Sequence, residues 1–120
     1  MRNVQPNIYD GIKFHSKLET YTYKKLKEAG IFAEYESTHF ELIPKFEYNT
    51  EKVRAMTYLP DFVGKDFIIE CKGLIGDSFP LRWKIFKYTL MQKGLKYKLY
   101  LVRNQKEVDA MIKEIKQNIQ

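Results

Sequence analysis

The segment from Pro60 to Lys72 limits what this chain can fold into more than any other part of the sequence. It predicts two short strands, Asp61–Val63 and Phe67–Lys72, on either side of a tight polar turn. Strands joined by so short a turn pair antiparallel with each other. The chain is therefore predicted to contain a sheet that includes this hairpin.

The second of these strands carries charged side chains on one face. Side chains alternate between the two faces of a strand, so Glu70, Lys72 and Ile68 are predicted to share one face. Ile69 and Cys71 are predicted to lie on the opposite face, where Cys71 serves as a small apolar residue. One side of the sheet is thus expected to present a carboxylate and an ammonium group together.

The length of the turn decides where Asp61 lies. A two-residue turn at Lys65–Asp66 places Asp61 directly opposite Glu70, and so does a four-residue turn over 64–67. In either register the Cβ atoms of the two acidic residues are about 5 Å apart. Only a turn with an odd number of residues places them on opposite faces. The even registers therefore predict two adjacent carboxylates.

Two carboxylates at this distance need a compensating charge. They repel each other by roughly 3 kcal/mol at about 5 Å and an effective dielectric near 20. Lys72 offsets part of this repulsion, and a divalent cation between the oxygens offsets more, since paired carboxylates bind Mg²⁺. The backbone carbonyl of Cys71 is a candidate further ligand. The alternative is an exposed hairpin with solvated and partly paired side chains, and spacing alone leaves both interpretations open.

The rest of the chain is predicted to complete one domain over residues 1–120, because this length suffices for a single hydrophobic core. Capping residues, turn residues and hydrophobic periodicity indicate the elements. The prediction, in chain order, is an arm or loop over Met1–Ile12, a helix opened by Ser16 and ended by Gly30, strands over Ile31–Glu36 and Phe40–Ile43, an ambiguous segment over Lys45–Tyr58 that is compatible with a hairpin, the two strands described above, a loop over Gly73–Gly76, a helix from Asp77 or Ser78 to Gln92, a strand over Tyr97–Val102, and a helix capped by Asn104 and ending near Asn118. The order is roughly α-β-β-β-α-β-α, an α/β fold with a mixed sheet flanked by helices.

The charge of the chain indicates its class of partner. It has 21 Lys and Arg against 15 Asp and Glu, a net charge of +6, which favours an anionic partner and nucleic acid first. One cysteine excludes a disulfide framework, and the two distant histidines, His15 and His39, argue against a zinc site. Neither a secretory leader nor an apolar run long enough to span a membrane is apparent, so a cytoplasmic protein is expected.

Pro60-Asp61 followed by Glu70-Cys71-Lys72 resembles the PD-(D/E)xK nuclease superfamily. From about Gly11 to Leu74, the sequence is similar to the phage-encoded endonuclease I family of Holliday-junction resolving enzymes. The motifs that carry this likeness are Phe14-His15-Ser16-Lys17-Leu18-Glu19, Leu26-Lys27-Glu28-Ala29-Gly30-Ile31, Glu34-Tyr35-Glu36, Tyr58-Leu59-Pro60-Asp61-Phe62 and Glu70-Cys71-Lys72-Gly73-Leu74.

The resemblance implies a restriction-endonuclease-like core and hydrolysis of phosphodiester bonds with Mg²⁺ or Mn²⁺. It implies that Asp61 and Glu70 are metal ligands and that Lys72 is the catalytic lysine. Glu19 is implied as a further carboxylate at the metal, in its own site or in that of a partner chain. The implied substrate is branched DNA, and the implied enzyme is an intertwined homodimer. If the chain is encoded by a phage, the implied location is the cytoplasm of the host.

Glu19 also has a local explanation. Ser16-Lys17-Leu18-Glu19 fits a capping box, in which the Glu19 carboxylate accepts the backbone N–H of Ser16. A cap and a place beside a metal are compatible, so both interpretations stay open.

Basic residues of the second helix are the candidate DNA contacts. Arg82, Lys84 and Lys87 lie among aromatic residues there, and Lys84 and Lys87 share one face at a spacing of three. His15, beside the start of the first helix, is a further candidate. The alternative is an amphipathic helix with solvated lysines. Because phosphate contacts carry affinity and no sequence information, DNA contacts of this kind would indicate recognition of DNA shape.

These observations predict a metal-dependent DNA endonuclease that is selective for branched DNA. One alternative is a general nickase or recombination nuclease of the same superfamily. Another is a non-catalytic DNA-binding module with the same fold.

Overall fold

The computed structural model of the chain describes residues 7–74, 76 and 78–119. The helices are α1 (Lys17–Glu28), α2 (Phe79–Gln92) and α3 (Gln105–Ile119). The strands are β1 (Asn7–Tyr9), β2 (Ile12–Phe14), β3 (Glu34–Tyr35), β4 (Phe40–Ile43), β5 (Phe46–Tyr48), β6 (Glu51–Val53), β7 (Met56–Tyr58), β8 (Phe62–Val63), β9 (Phe67–Cys71) and β10 (Lys98–Val102). The mixed α/β class is therefore confirmed. No helix in the described ranges is long and apolar enough to cross a membrane.

A four-stranded mixed sheet forms the centre of the molecule, in the order β10-β9-β8-β3. Strands β3, β8 and β9 are antiparallel neighbours, whereas β10 runs parallel to β9. A parallel pair needs a long crossover, and α2 supplies it. Together with α1 and α3, these strands follow the predicted order α-β-β-β-α-β-α.

The two faces of the sheet are covered by different helices. Leu26 of α1 and Val108 of α3 pack in one apolar cluster with Phe62 and Ile69. On the opposite face, α2 packs in a second cluster that contains Ile68. The predicted alternation of the β9 side chains is thus confirmed, and the side that carries Ile68 is also the side of Glu70.

Most helix ends follow the sequence signals. Gly30 and Gly94 have φ angles of +69° and +67° just after α1 and α2, the left-handed conformation expected after a helix. Asn104 accepts the Glu107 N–H at 2.9 Å and caps α3. The strand predicted from Ile31 begins later, because the Ile31 N–H bonds to the Leu26 carbonyl and closes α1. Asp77, one predicted start of α2, lies outside the described residues.

Two hairpins and one further strand pair lie outside the central sheet. The prediction of an arm through Ile12 is wrong for residues 7–12, because β1 and β2 pair there around Asp10 and Gly11, both with positive φ. Asp-Gly is a strong hairpin turn signal. Residues 1–6 of the predicted arm lie outside the described part of the chain. The ambiguous segment forms the β5–β6 hairpin, and β4 pairs with β7.

Phe62→Ala should destabilise the protein by about 3–5 kcal/mol, because it removes a large side chain from a closely packed core. Phe62 is completely buried, with its ring centroid 5.3 Å from that of Tyr35. Urea unfolding measures the change. Phe32→Ala is the matched control, since Phe32 is 77% exposed and its loss should change the stability by less than about 0.5 kcal/mol. Equal effects of the two substitutions would contradict this packing.

Candidate carboxylate site

The turn between β8 and β9 sets the register of the site. Val63 pairs with Ile68, and the Gly64 N–H donates to the Phe67 carbonyl at 2.8 Å, which leaves a two-residue turn. Continued by one pair beyond Phe62 and Ile69, this register sets position 61 opposite position 70. Gly64 is needed because a Cβ there would lie 2.3 Å from the Phe67 ring. The predicted even register is thus confirmed.

Asp61 is buried, with 7% of its surface exposed. Its Oδ2 accepts the backbone N–H of Cys71 at 2.7 Å, which ties the carboxylate to the end of β9. Its carbonyl accepts the N–H of Glu36 at 2.9 Å. A non-glycine residue with a φ of +48°, Glu36 holds a strained backbone conformation beside the site.

Glu70 lies between a hydroxyl and an ammonium group. Glu70 is buried, with 5% of the residue exposed. Its Oε1 accepts a hydrogen bond from the Tyr58 hydroxyl. The Lys72 Nζ lies 3.8 Å from the other oxygen, Oε2. Lys72 also lies over the ring of Phe79, 5.1 Å from its centroid. Glu70 and Lys72 therefore act as neighbours on one face, as predicted.

Glu19 is brought to the site by the start of α1. Ser16 Oγ accepts the Glu19 N–H at 3.1 Å, so half of the predicted capping box is present. The reciprocal bond differs: Glu19 Oε1 accepts the His15 N–H at 3.2 Å, one residue before the one predicted, and also the Tyr35 hydroxyl. Glu19 is buried, and its charge raises the pKa of both Asp61 and Glu70. It therefore contributes to the cap and to the electrostatics of the site.

The buried acids Glu19, Asp61 and Glu70 place more negative charge at the site than the neighbouring groups compensate. Burial, followed by the charge of Glu70, raises the pKa of Asp61 to about 8. Burial also raises the pKa of Glu70, although the Tyr58 hydrogen bond and Lys72 oppose this rise. Buried acids with raised pKa values at one place are typical of functional sites, and a bound cation would favour their charged forms.

The residue types at the site suit a divalent cation, whereas the present arrangement of their side chains suits it less well. Carboxylate oxygens are the ligands that Mg²⁺ prefers. Among the described residues, however, no group of three or more His, Cys, Asp or Glu side chains is arranged so that it could hold a metal ion. The hydrogen bonds named above each involve a single oxygen of Glu19, Asp61 and Glu70. The Cys71 carbonyl as a ligand stays a prediction.

The candidate DNA contacts lie in different surroundings. The Arg82 guanidinium donates to the Thr57 carbonyl at 2.7 Å and so ties α2 to β7. Lys84 and Lys87 are exposed on α2. The His15 side chain is 69% exposed, and its Nε2 lies 3.2 Å from a Glu36 carboxylate oxygen. Lys84, Lys87 and His15 are thus exposed, with the Lys87 Nζ 5.9 Å from the centroid of the Trp83 ring, whereas the Arg82 guanidinium is held by β7.

Sequence reasoning missed two tyrosines. Tyr58 and Tyr35 donate to Glu70 and Glu19, respectively, yet nothing in their spacing distinguishes them from the other tyrosines of the chain. Cys71 was predicted correctly as a small core residue, since its thiol is buried in the cluster beneath α1. Burial raises the pKa of this thiol well above its ordinary value.

One family model matches residues 3–108, and its description is "Protein of unknown function (DUF1064)". The chain belongs to the DUF1064 family. No curated protein and no solved structure matches the chain.

The DUF1064 match contains every candidate residue of the site. It covers α1, the central sheet and α2, and it ends within the first turn of α3. Glu19, Asp61, Glu70 and Lys72 therefore belong to the part of the chain that places it in the family. The function of the site has to be argued from its own geometry.

Proposed function

We propose that this DUF1064 chain is a metal-dependent DNA endonuclease that cleaves branched DNA such as a four-way junction. The observation that carries the proposal is the register that sets buried Asp61 opposite buried Glu70, with Lys72 3.8 Å from Glu70. Two acids and one ammonium group on neighbouring strands are the components that metal-assisted phosphodiester hydrolysis needs.

The fold supports a restriction-endonuclease-like core. Three antiparallel strands, a crossover helix and a parallel fourth strand follow α1 in the chain, which is compatible with a mixed sheet flanked by helices. The pair β4–β7 and the β5–β6 hairpin are inserted between the first two strands of this sheet. They leave the order of the central strands unchanged.

The residues of the site divide the chemistry among them. Asp61 and Glu70 would hold Mg²⁺ or Mn²⁺, with Glu19 and the Cys71 carbonyl as further ligands. When bound, such an ion polarises the scissile phosphate and lowers the pKa of water. Lys72 places a positive charge beside Glu70, where it orients the attacking water or neutralises charge that develops on the phosphate. The Phe79 ring limits the movement of the Lys72 side chain.

Helix α2 is the proposed DNA-binding surface. No acidic residue occurs from Ser78 to Lys106, a stretch that includes α2 and β10. Phe79 and Trp83, which stack at 5.4 Å, place the start of this helix beside Lys72 and Tyr58. A phosphate backbone bound along α2 therefore passes next to the carboxylates.

Lys84→Ala and Lys87→Ala should each weaken DNA binding and reduce the salt dependence of the binding constant. Each lost phosphate contact lowers the slope of log K against log salt by about 0.9 for duplex DNA. Fluorescence anisotropy without divalent cations, at several salt concentrations, measures the slope. Lys113→Ala on α3 is the matched control, because α3 covers the other face of the sheet. A wild-type slope in both α2 variants would contradict this surface.

The selectivity for branched DNA and the homodimer are proposed from the likeness to junction-resolving enzymes. A protein that cuts DNA in this way is expected in the cytoplasm. The test is cleavage of a four-way junction, a flap and a linear duplex with Mg²⁺, with the mass in solution measured by light scattering. We expect paired cuts near the branch point and a dimer.

The same assay separates the alternatives. Equal cleavage of linear duplex would favour a general nickase or recombination nuclease. Binding to all three DNA molecules without any product would favour a non-catalytic DNA-binding module and would contradict the proposed activity.

A further inference from the structure

The two glutamates of the site share an arrangement that their role as ligands does not require. Each accepts a hydrogen bond from a tyrosine hydroxyl: Glu70 from Tyr58 of β7, and Glu19 from Tyr35 of β3. The two tyrosines come from different strands, and the hydroxyl of each donates to a different glutamate. The site thus contains two independent tyrosine–glutamate pairs.

The Tyr58 hydroxyl is held in place by packing. Its ring lies 4.7 Å from the ring of Phe86 and 6.2 Å from that of Trp83, both in edge-to-face contact and both on α2. The residue is 6% exposed. A ring wedged in this way cannot turn its hydroxyl away from Glu70 without disturbing the core.

The hydrogen bond decides the orientation of the Glu70 carboxylate. Oε1 is fixed by Tyr58, which leaves Oε2 facing Lys72. Without the hydroxyl, one buried oxygen loses its donor and the carboxylate can rotate towards Lys72. Groups that orient ligands in this way commonly change metal affinity by 10- to 100-fold when they are removed.

We propose that Tyr58 and Tyr35 are positioning residues that orient Glu70 and Glu19 for a divalent cation. The inference rests on the proposed function, because it assumes that the two glutamates contact a metal. It adds a role for two residues that would otherwise belong only to the core.

The test measures metal binding without DNA. Trp83 is the single tryptophan of the chain and lies against Tyr58, so Mn²⁺ bound at the site should quench its fluorescence. Tyr58→Phe retains the ring and removes the hydroxyl. We expect it to weaken Mn²⁺ binding about 10-fold or more, and Tyr35→Phe to weaken it as well.

A matched control separates this effect from the loss of any tyrosine–glutamate bond. The Tyr100 hydroxyl donates to Glu114 at 2.6 Å, and Tyr100 packs on the cluster formed with α1 and α3. Tyr100→Phe should therefore leave Mn²⁺ affinity unchanged. Thermal unfolding tests whether each variant is folded. If Tyr58→Phe is not folded, the Mn²⁺ affinity of Tyr35→Phe decides the outcome.

The possible outcomes distinguish the inference from the proposed function. Quenching that saturates in the wild type and disappears in Asp61→Asn supports the metal site, and its absence would contradict both the site and the inference. If the wild type binds Mn²⁺ and the tyrosine variants bind it equally well, the inference fails while the proposed function stands. Tighter binding in Tyr58→Phe would also overturn the inference, because the hydroxyl would then compete with the metal for Glu70.

Discussion

Glu70→Gln should lower the rate of phosphodiester cleavage by about 10³-fold or more and leave DNA binding intact. The substitution keeps the shape of the side chain but removes the negative charge that faces Asp61 and Lys72. Loss of a single well-placed electrostatic group costs about 10²–10³ in rate, and loss of a metal ligand adds to this. Single-turnover cleavage of a labelled four-way junction in Mg²⁺ measures the effect.

The control for this prediction is another glutamate of the same chain. Glu114 is an exposed residue of α3, which packs on the other face of the sheet, and it pairs with Lys98 and accepts the Tyr100 hydroxyl. Glu114→Gln should cleave like the wild type. Unimpaired cleavage by Glu70→Gln, with junction binding equal to that of the wild type, would show that Glu70 is not part of the reaction.

Asp61→Asn should stabilise the metal-free protein at alkaline pH. The pKa of Asp61 is raised from 3.8 to about 8, so the folded state binds a proton that the unfolded state releases. The stabilisation of the folded state by this proton is complete below about pH 4. It is lost as the pH rises and is gone above about pH 8. The neutral amide avoids the loss and should make the variant more stable than the wild type by about 1–3 kcal/mol at pH 8.5.

Urea unfolding at pH 4 and pH 8.5 in EDTA measures this difference. At pH 4 the wild type and Asp61→Asn should be close in stability, because the Asp61 carboxyl is then protonated in the folded state and partly protonated in the unfolded state. Added Mg²⁺ should stabilise the wild type at pH 8.5 more than it stabilises the variant, since binding to the folded state alone raises stability. A variant that is less stable than the wild type at pH 8.5 in EDTA would contradict the electrostatic description of the site.

The pairing and register within the central sheet could be predicted because the residues that determine them lie close together in the sequence. The two-residue alternation of β9 separates Ile68 from Ile69, and one short turn sets the register of the whole pair. The N-terminal hairpin was missed because the Asp10-Gly11 turn joins strands of only three residues each. Such short strands show little alternation, and the buried side chain of Phe14 supplies the packing instead.

The acids and the lysine of the site were predictable for the same reason, whereas their hydrogen-bond partners were not. Asp61, Glu70 and Lys72 follow from strand register. Tyr58 reaches Glu70 only because α2 presses its ring against the sheet, and this contact depends on residues distant in the sequence. The Tyr35 hydroxyl reaches Glu19 while its ring packs against Phe14 and Phe62. Tertiary packing, which no local pattern encodes, determined both.

The most direct test of the proposed site is anomalous diffraction from crystals of the wild-type protein grown with Mn²⁺. We expect an anomalous peak bound by carboxylate oxygens of both Asp61 and Glu70 at about 2 Å, as divalent cations of this size are coordinated. The same crystals of Glu70→Gln should lose the peak. Well-ordered wild-type crystals with Mn²⁺ bound elsewhere, and none between these two side chains, would contradict the proposed site.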